Sequence, residues 1–406
     1  MRHWQKLAVL GVGLGALCTP AIAGAFDDCA NLAASKYEPG YEGVGPIDLG
    51  GIDRYGATDA IAACQSALID DPSSVQAKAW LGAALAAHLE YDKAIALLED
   101  AAGQGNVVAL NVLGGLLVLG KGVTQDAARG TGMLRQAAEA NFAPAQIGLA
   151  YSYDFGDGVA ADPEEAFAWY MSAAQAGVVR AQVIVGDRLQ RGAGVQRDDK
   201  IAAQWFGKAA EAGDPDGQYR LGLAYLEGRG VKANKVQALA NIKAASDQFY
   251  GPGMNAMGYL TELGIGLKAD EVAAANLYDS ARGRNLPVAA FNLARMQEDG
   301  KGVVADPAAA RENYRFAAEA GDMHAAVNLA LMYLKGEGGA ADTATAVKLL
   351  QHAADAGSAA GQNDLGRLYE LGIGVEVDLD RAKELYTQAA AKGYKLARSN
   401  LSRLGG

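Results

Sequence analysis

The sequence predicts an all-α protein, a right-handed α-solenoid of antiparallel helix pairs, and three recurring features lead to this prediction. A Gly-x-Gly pair returns every 36 residues, an aspartate or asparagine stands four residues after each pair, and most units end at a glycine or asparagine. A fixed period between about 20 and 50 residues is typical of repeat proteins, whose units bury their apolar faces only by stacking on each other. We therefore expect stacked repeats rather than the two or three globular domains that 406 residues would otherwise suggest.

The Gly-x-Gly pairs are best explained as turns between helices. A single pair could begin a phosphate-binding loop, but none of the eight continues into Gly-x-Gly-x-x-Gly, and no strand-like run precedes them. Glycine lets the backbone turn sharply where a side chain would clash. The pairs are Gly120/Gly122, Gly156/Gly158, Gly192/Gly194, Gly228/Gly230, Gly264/Gly266, Gly300/Gly302, Gly336/Gly338 and Gly372/Gly374.

One unit, Phe142 to Gly177, shows how each repeat divides into two helices. Apolar residues at helical spacing predict helix A around Ala145 to Phe155 and helix B around Pro163 to Ala176. Asp162 suits the N-cap of helix B, because its carboxylate can accept hydrogen bonds from free backbone N–H groups, and proline fits the first helical position. The same N-cap column contains Asp126, Asp162, Asp198, Asn234, Asp270, Asp306, Asp342 and Asp378.

This layout resembles the Sel-one-like repeat, a relative of the tetratricopeptide repeat with a longer turn between its helices. The resemblance rests on the segments GQYRLGLAYLEGRGV and AAFNLARMQEDGKGVVADPAAARENYRFAAEAG. It covers residues 106–393, which form eight 36-residue units. Residues 71–105 have similar helices without the Gly-x-Gly turn and resemble one tetratricopeptide-like unit.

The segments that flank the repeats are predicted to be caps. Residues 24–70 contain two helical patterns, from Ala25 to Ser35 and from Thr58 to Ile69, joined by a glycine-rich connection, and we expect them to form an N-terminal helical cap. Residues 394–406 begin another helix A without its partner. We expect this segment to be a C-terminal capping helix.

Residues 1–23 are predicted to be a secretory signal peptide. Arg2 and Lys6 precede an apolar run, and Ala21-Ile22-Ala23 offers a small-x-small cleavage site. No later stretch approaches the roughly 20 apolar residues that span a bilayer, so we expect no stable membrane insertion. The expected location is outside the cytoplasm, in the periplasm or, as a second option, secreted.

Two cysteines, Cys29 and Cys64, lie downstream of the predicted signal peptide. An exported chain with two cysteines can form a single internal bridge, which would tie the two cap helices together. We therefore predict a Cys29–Cys64 disulfide. Two reduced cysteines, buried in separate helices, are the alternative, because the sequence gives no distance between them.

Charge and residue types exclude several functions. The net charge of −11 becomes −13 without Arg2 and Lys6, which disfavours nucleic acid and anionic lipid as partners. The histidines after the signal peptide are His88, His324 and His352, and none is near a cysteine or in a His-x-x-x-His pair. No Gly-x-Ser-x-Gly motif is present. We expect no catalytic residues, no metal and no cofactor, and we expect that the protein is not an enzyme.

The family resemblance implies a protein-interaction scaffold or adaptor that binds a protein or peptide, in envelope assembly or signalling. Two alternatives stay open: a cell-envelope hydrolase, β-lactamase-like or acting on peptidoglycan, and a carbohydrate-binding module. Exported relatives described as β-lactamase-like carry a cysteine pair in each repeat, and these repeats contain none. The partner and the oligomeric state are not predicted.

In tetratricopeptide-like hairpins, helix A forms the concave wall, so its residues that are not needed for packing are candidates for recognition. Two columns three residues apart face the same way. Aromatic and arginine side chains often dominate binding energy at such surfaces, although ordinary contacts between repeats could also explain these columns. The predicted protein-binding groove contains Tyr151, Asp154, Asp187, Gln190, Tyr259, Glu262, Arg295, Glu298, Arg367 and Glu370, with Leu223, Leu226, Leu331 and Leu334 between them.

Overall fold

The computed structural model describes residues 24–42, 44 and 56–405, and within them every regular element is an α-helix. The predicted signal peptide at 1–23 and most of the glycine-rich connection in the N-terminal cap lie outside these residues. The described residues contain 21 helices in consecutive antiparallel pairs and no strand. The prediction of an all-α solenoid fold is confirmed.

Two cap helices and a helix pair without a Gly-x-Gly turn precede the eight repeats. These four helices are α1 (Ala25–Ala33), α2 (Gly56–Asp70), α3 (Val75–Ala87) and α4 (Tyr91–Gly103). The A helices of the repeats are α5 (Val107–Leu119), α7 (Ala143–Phe155), α9 (Val179–Arg191), α11 (Pro215–Glu227), α13 (Gly251–Leu263), α15 (Pro287–Asp299), α17 (Met323–Lys335) and α19 (Ala359–Leu371). The B helices are α6 (Ala127–Glu139), α8 (Pro163–Gln175), α10 (Asp199–Glu211), α12 (Lys235–Asp247), α14 (Glu271–Arg282), α16 (Pro307–Glu319), α18 (Thr343–Asp355) and α20 (Leu379–Ala391). A last helix, α21 (Lys395–Arg403), follows them.

The chain divides into two units of internal contact. The first contains residues up to Ala181 together with 193–195, and the second contains 182–192 and the chain from Gln196 onward. In each unit, consecutive helices pack against each other along the chain. None of the described helices is both long and apolar enough to cross a bilayer.

The two glycines of each turn have different roles, as Gly156 and Gly158 show. Gly156 ends α7 in the left-handed conformation, with φ of 75°, and its N–H bonds back to the Ser152 carbonyl. Gly158 also has a positive φ, and a Cβ there would overlap the backbone at Ala127, the first residue of helix α6 in the preceding repeat. The second glycine therefore allows contact between repeats as well as the turn.

The predicted N-cap column does cap the B helices. The Asp162 carboxylate accepts from the Glu165 N–H at 3.1 Å, and the other seven residues of the column make the equivalent bond. At the other end of helix α12 the column of glycine and asparagine contains Phe249. It adopts the same left-handed conformation, with φ of 58°, and α13 follows in register.

A disulfide closes the N-terminal cap, as the sequence predicts. Cys29 in α1 and Cys64 in α2 are bonded, with their Cα atoms 4.6 Å apart, and both side chains are buried. The segment after α1 packs on α3: the Trp80 indole donates to the Glu38 carboxylate at 2.9 Å, and the Tyr41 ring meets the Trp80 ring edge-on. Glu38 is almost completely buried here, and this burial raises the pKa of its carboxyl, although the hydrogen bond from Trp80 acts in the opposite direction.

Candidate protein-binding surface

The predicted contact residues occupy two positions of helix A. When each repeat is numbered from the first residue of its helix A, Tyr151, Asp187, Tyr259, Arg295 and Arg367 stand at position 9. The other five predicted residues, Asp154, Gln190, Glu262, Glu298 and Glu370, stand at position 12. The structure gives these two positions different surroundings.

The carboxylates at position 12 are bonded to buried tyrosines. A tyrosine at position 28, in helix B of the same repeat, donates its hydroxyl to each of them over 2.7 to 2.9 Å. All four tyrosine side chains are at most 1% exposed. The pairs are Tyr170–Asp154, Tyr278–Glu262, Tyr314–Glu298 and Tyr386–Glu370. These acids are thus part of the packing between helices A and B.

The sequence itself carries this pairing, because the two positions vary together along the chain. The four repeats with tyrosine at position 28 have an acid at position 12. The four with an apolar residue at position 28 have no acid there. These four pairs are Leu134 with Val118, Phe206 with Gln190, Ile242 with Leu226, and Leu350 with Leu334. An acid is therefore used where a buried hydroxyl needs an acceptor.

Arginines from α15 and α21 complete two of these bonding networks. Arg295 donates to both oxygens of Glu262 over 2.6 and 2.7 Å, and the Glu262 side chain is only 10% exposed. Arg403 likewise binds Glu370, and this hydrogen bond lowers the pKa of that carboxyl. Burial raises the pKa of Tyr278 far above its ordinary value. Burial raises the pKa of Tyr314 and Tyr386 as well, so these three tyrosines stay protonated and act as donors at neutral pH.

A separate arginine network, without a position 12 acid, joins two A helices of the second unit. Arg220 in α11 binds Asp187 in α9 at 2.8 Å, and it also binds Asp216 one turn earlier in its own helix. Gln190, one turn beyond Asp187, is half-buried. Three of the predicted residues at position 9, Tyr151, Asp187 and Arg295, are engaged in links between repeats.

In the first unit, a half-buried tyrosine at position 9 and an exposed phenylalanine at position 13 together form an aromatic patch. The Tyr151 and Phe155 rings stack with their planes 12° apart and their centroids at 6.4 Å, and Phe155 is 73% exposed. Arg180 donates to the Tyr151 hydroxyl at 3.0 Å. Leu119, at position 13 of the preceding repeat, is also exposed.

The second unit repeats this arrangement with other side chains. Tyr259 and Leu263 in α13 are 48% and 53% exposed, and Leu371 at position 13 of α19 is exposed to a similar extent. Arg367, four residues before Leu371, is exposed and has no ion pair among the described residues. Residues at positions 9 and 13 lie one turn apart on one helix face, and we call this face the helix A surface.

Sequence reasoning missed the residues at position 13. Leu119, Phe155, Leu263 and Leu371 immediately precede the first turn glycine, where they could be taken for the last core residue of the helix. Their spacing of four residues from position 9 was the available signal.

The last repeat contains a cavity on the helix A surface. It has a volume of about 420 Å³ and lies between α19 and α21, with Arg367, Glu370 and Arg403 on its polar side and Leu371 and Leu396 on its apolar side. Burial raises the pKa of Asp364, which also lines it. A cavity lined by arginines, acids and leucines can take a side chain from a partner. Among the described residues no group of three or more metal-binding side chains occurs.

Comparison with known proteins identifies the repeats. The model of the Sel1 repeat matches residues 107–142, 143–178, 179–214, 215–248, 251–282, 287–322, 324–358 and 359–394. The comparison with curated proteins found no match. A Sel1 repeat protein from Oxalobacter formigenes is similar in structure, with 30% identity and a TM-score of 0.61, over 78% of this chain and 93% of the other.

A second solved structure shares the architecture. It is a protective antigen of uropathogenic Escherichia coli with an SLR fold, and the TM-score is 0.53 at 26% identity, over 86% of this chain and 83% of that one. The eight matches to the repeat model cover well over half of the residues. The chain belongs to the Sel1 repeat family.

Proposed function

We propose that this protein is an exported, non-catalytic scaffold that binds a protein or peptide on its helix A surface. Members of the Sel1 repeat family are generally protein-interaction scaffolds. The observation that carries the proposal is the exposure of apolar and aromatic side chains at positions 9 and 13, which recurs in both units, as in Phe155 and Leu263. Such side chains are typical anchors of protein interfaces.

The acids at position 12 are left out of the proposed set of contact residues, because they are already bonded within the protein. Glu262 and Glu370 are engaged by buried tyrosines and by arginines, so their substitution would disturb the fold before it disturbed a partner. Among the residues that the sequence predicts, Tyr259 and Arg367 are exposed to a ligand, and Tyr151 is half-buried beside the exposed Phe155. Phe155, Leu263 and Leu371 extend that set.

The experiment is capture of a partner by the purified mature protein from envelope extract, followed by binding measurements on two matched variants. Leu263→Asp places a charge on the helix A surface. Val272→Asp places the same charge on helix B of the same repeat, at a position that is 58% exposed against 53% for Leu263. We expect only Leu263→Asp to weaken binding, by about tenfold or more, since a carboxylate would replace a desolvated apolar contact.

Export and the enzyme alternative need separate measurements. If residues 1–23 are a signal peptide, the protein isolated from a periplasmic or culture fraction should begin after Ala23, and a chain that retains Met1 in the cytoplasm would contradict export. Turnover of a β-lactam or of peptidoglycan by the purified protein would favour the hydrolase alternative.

A further inference from the structure

A second cavity, in the first unit, lies away from the helix A surface. Its volume is about 450 Å³, and it is formed by the end of α6, the start of α7 and one side of α8. Its lining includes Glu139, Gln146, Trp169, Ser172 and Gln175. This volume lies within the usual range of small-molecule pockets, about 300–1,000 Å³, and far exceeds the roughly 30 Å³ that one water occupies.

Two polar atoms of the lining are buried and unsatisfied. The Gln146 side chain is 5% exposed, and its Oε1 finds no hydrogen-bond partner among the described residues. The Trp169 indole Nε1 is also buried without a partner in that part of the chain. Buried donors and acceptors are nearly always paired in proteins. The cavity thus offers one free acceptor and one free donor to whatever enters it.

The glutamine alone would not indicate a ligand, because it recurs. Gln146 donates its Nε2 to the Ala138 carbonyl at 3.4 Å, and Gln362 makes the equivalent bond to Ala354 in the last repeat. The glutamine therefore has a packing role. What distinguishes the cavity is the unsatisfied tryptophan together with the open space beside it.

The open space follows from one small residue. Ser172 stands at position 30 of its repeat, one turn after Trp169 at position 27. In the next repeat the equivalent pair is Trp205 and Lys208, and the lysine Nζ lies over the indole ring, 3.7 Å from its centroid. In the last repeat position 30 is Gln388, whose Oε1 accepts from the recurring glutamine. Ser172 leaves unfilled the space that a long side chain takes in these two repeats.

The lining defines the chemistry of the ligand. Amide and hydroxyl groups predominate, with one carboxylate, Glu139, and none of the described lysines or arginines lines the cavity, so an anionic ligand such as a phosphate would lack a counter-charge. A ligand must accept from Trp169 and donate to Gln146. Hydroxyl groups do both, and several of them on a compact ring fit the volume. We propose that this cavity binds a neutral sugar ring, with hydroxyls bonded to the Trp169 Nε1 and the Gln146 Oε1.

The test is nuclear magnetic resonance of the indole N–H groups during titration. The mature chain contains three indole N–H groups, in Trp80, Trp169 and Trp205, and loss of one signal in Trp169→Phe assigns the signal of interest. With N-acetylglucosamine or glucose as the probe, we expect a saturable shift of the Trp169 signal while the Trp80 and Trp205 signals stay in place. No shift with either sugar, or an equal non-saturable shift with glycerol, would overturn the proposal.

Two variants at position 30 control for the site. Ser172→Lys copies the arrangement at Trp205 and should weaken sugar binding by about tenfold or more, since the lysine chain would fill the cavity. Ser172→Ala leaves the cavity open and should bind like the natural protein. If Ser172→Lys fails to fold, Ser172→Gln, which copies Gln388, replaces it. Unchanged affinity in the folded filling variant would overturn the proposal.

Discussion

The Tyr278–Glu262–Arg295 network allows a direct test of how much the side-chain bonds between helices A and B stabilise a repeat. Tyr278→Phe removes a 2.9 Å hydrogen bond to a carboxylate that is 10% exposed. The loss should be about 1.5–3 kcal/mol, as for other hydrogen bonds to charged groups. Glu262→Gln keeps an acceptor but loses the ion pair with Arg295. That arginine is 37% exposed, so this loss should be about 1 kcal/mol.

The double variant is the most informative one, because the pair of residues that it creates already occurs in this chain. Phe206 and Gln190 are the same phenylalanine–glutamine pair in another repeat. Tyr278→Phe combined with Glu262→Gln should therefore cost less than the sum of the two single changes, by about 1 kcal/mol, as expected for residues in one network.

The assay should report on the repeat itself, since long repeat arrays need not unfold in one step. Hydrogen exchange measured on peptides from α13 and α14 gives the local free energy of opening. Tyr259→Phe is the control, because Tyr259 is exposed and lies in α13 of the same repeat. Strictly additive losses, or a Tyr278→Phe variant as stable as the control, would show that the bond does not couple the helices.

Three further predictions concern caps, backbone strain and pH. Asp306→Ala should cost about 1 kcal/mol of local stability in hydrogen exchange, and an unchanged value would mean that the cap is dispensable. Phe249→Gly should stabilise its repeat by about 0.5–1 kcal/mol, because the left-handed conformation strains a bulky residue. Gly213→Ala, at the equivalent position, should destabilise its own repeat for the same reason. Denaturation experiments that show the opposite signs would refute this. The Glu38 carboxyl has a folded-state pKa raised above 4.5 by burial, so its stabilising contribution is fully present below pH 4.5 and is lost as pH rises through the raised value. Trp80 fluorescence should therefore report easier unfolding of the cap at neutral pH, and a Glu38→Gln variant with the same pH dependence would contradict this.

Most of the fold can be predicted from the sequence because only a few residue types favour the first and last positions of a helix. The N-cap aspartates and the left-handed helix ends repeat along the chain, so each type of helix boundary is supported many times over. The exception of Phe249 looks like an irregular junction in the sequence. The structure keeps the register, because Phe249 adopts the left-handed conformation that glycine adopts at this position in other repeats.

The candidate site is harder to predict because neighbouring helices decide what each side chain does. Spacing alone places Tyr259 and Glu262 on one face. It does not show that Tyr278, 16 residues further on, takes the carboxylate as its acceptor. The joint variation of positions 12 and 28 does contain this information. The exposure of Leu263 does not follow from any such pattern, because an apolar residue at a helix end is equally compatible with burial.

The central claim is that the helix A surface, rather than the B helices, holds the partner. A photo-reactive amino acid placed at Leu263 or Leu371, and as a control at Val272, tests this in living cells even while the partner is unidentified. The account predicts that irradiation gives the same crosslinked protein from Leu263 and Leu371 and none from Val272. Crosslinks from Val272 alone would contradict it.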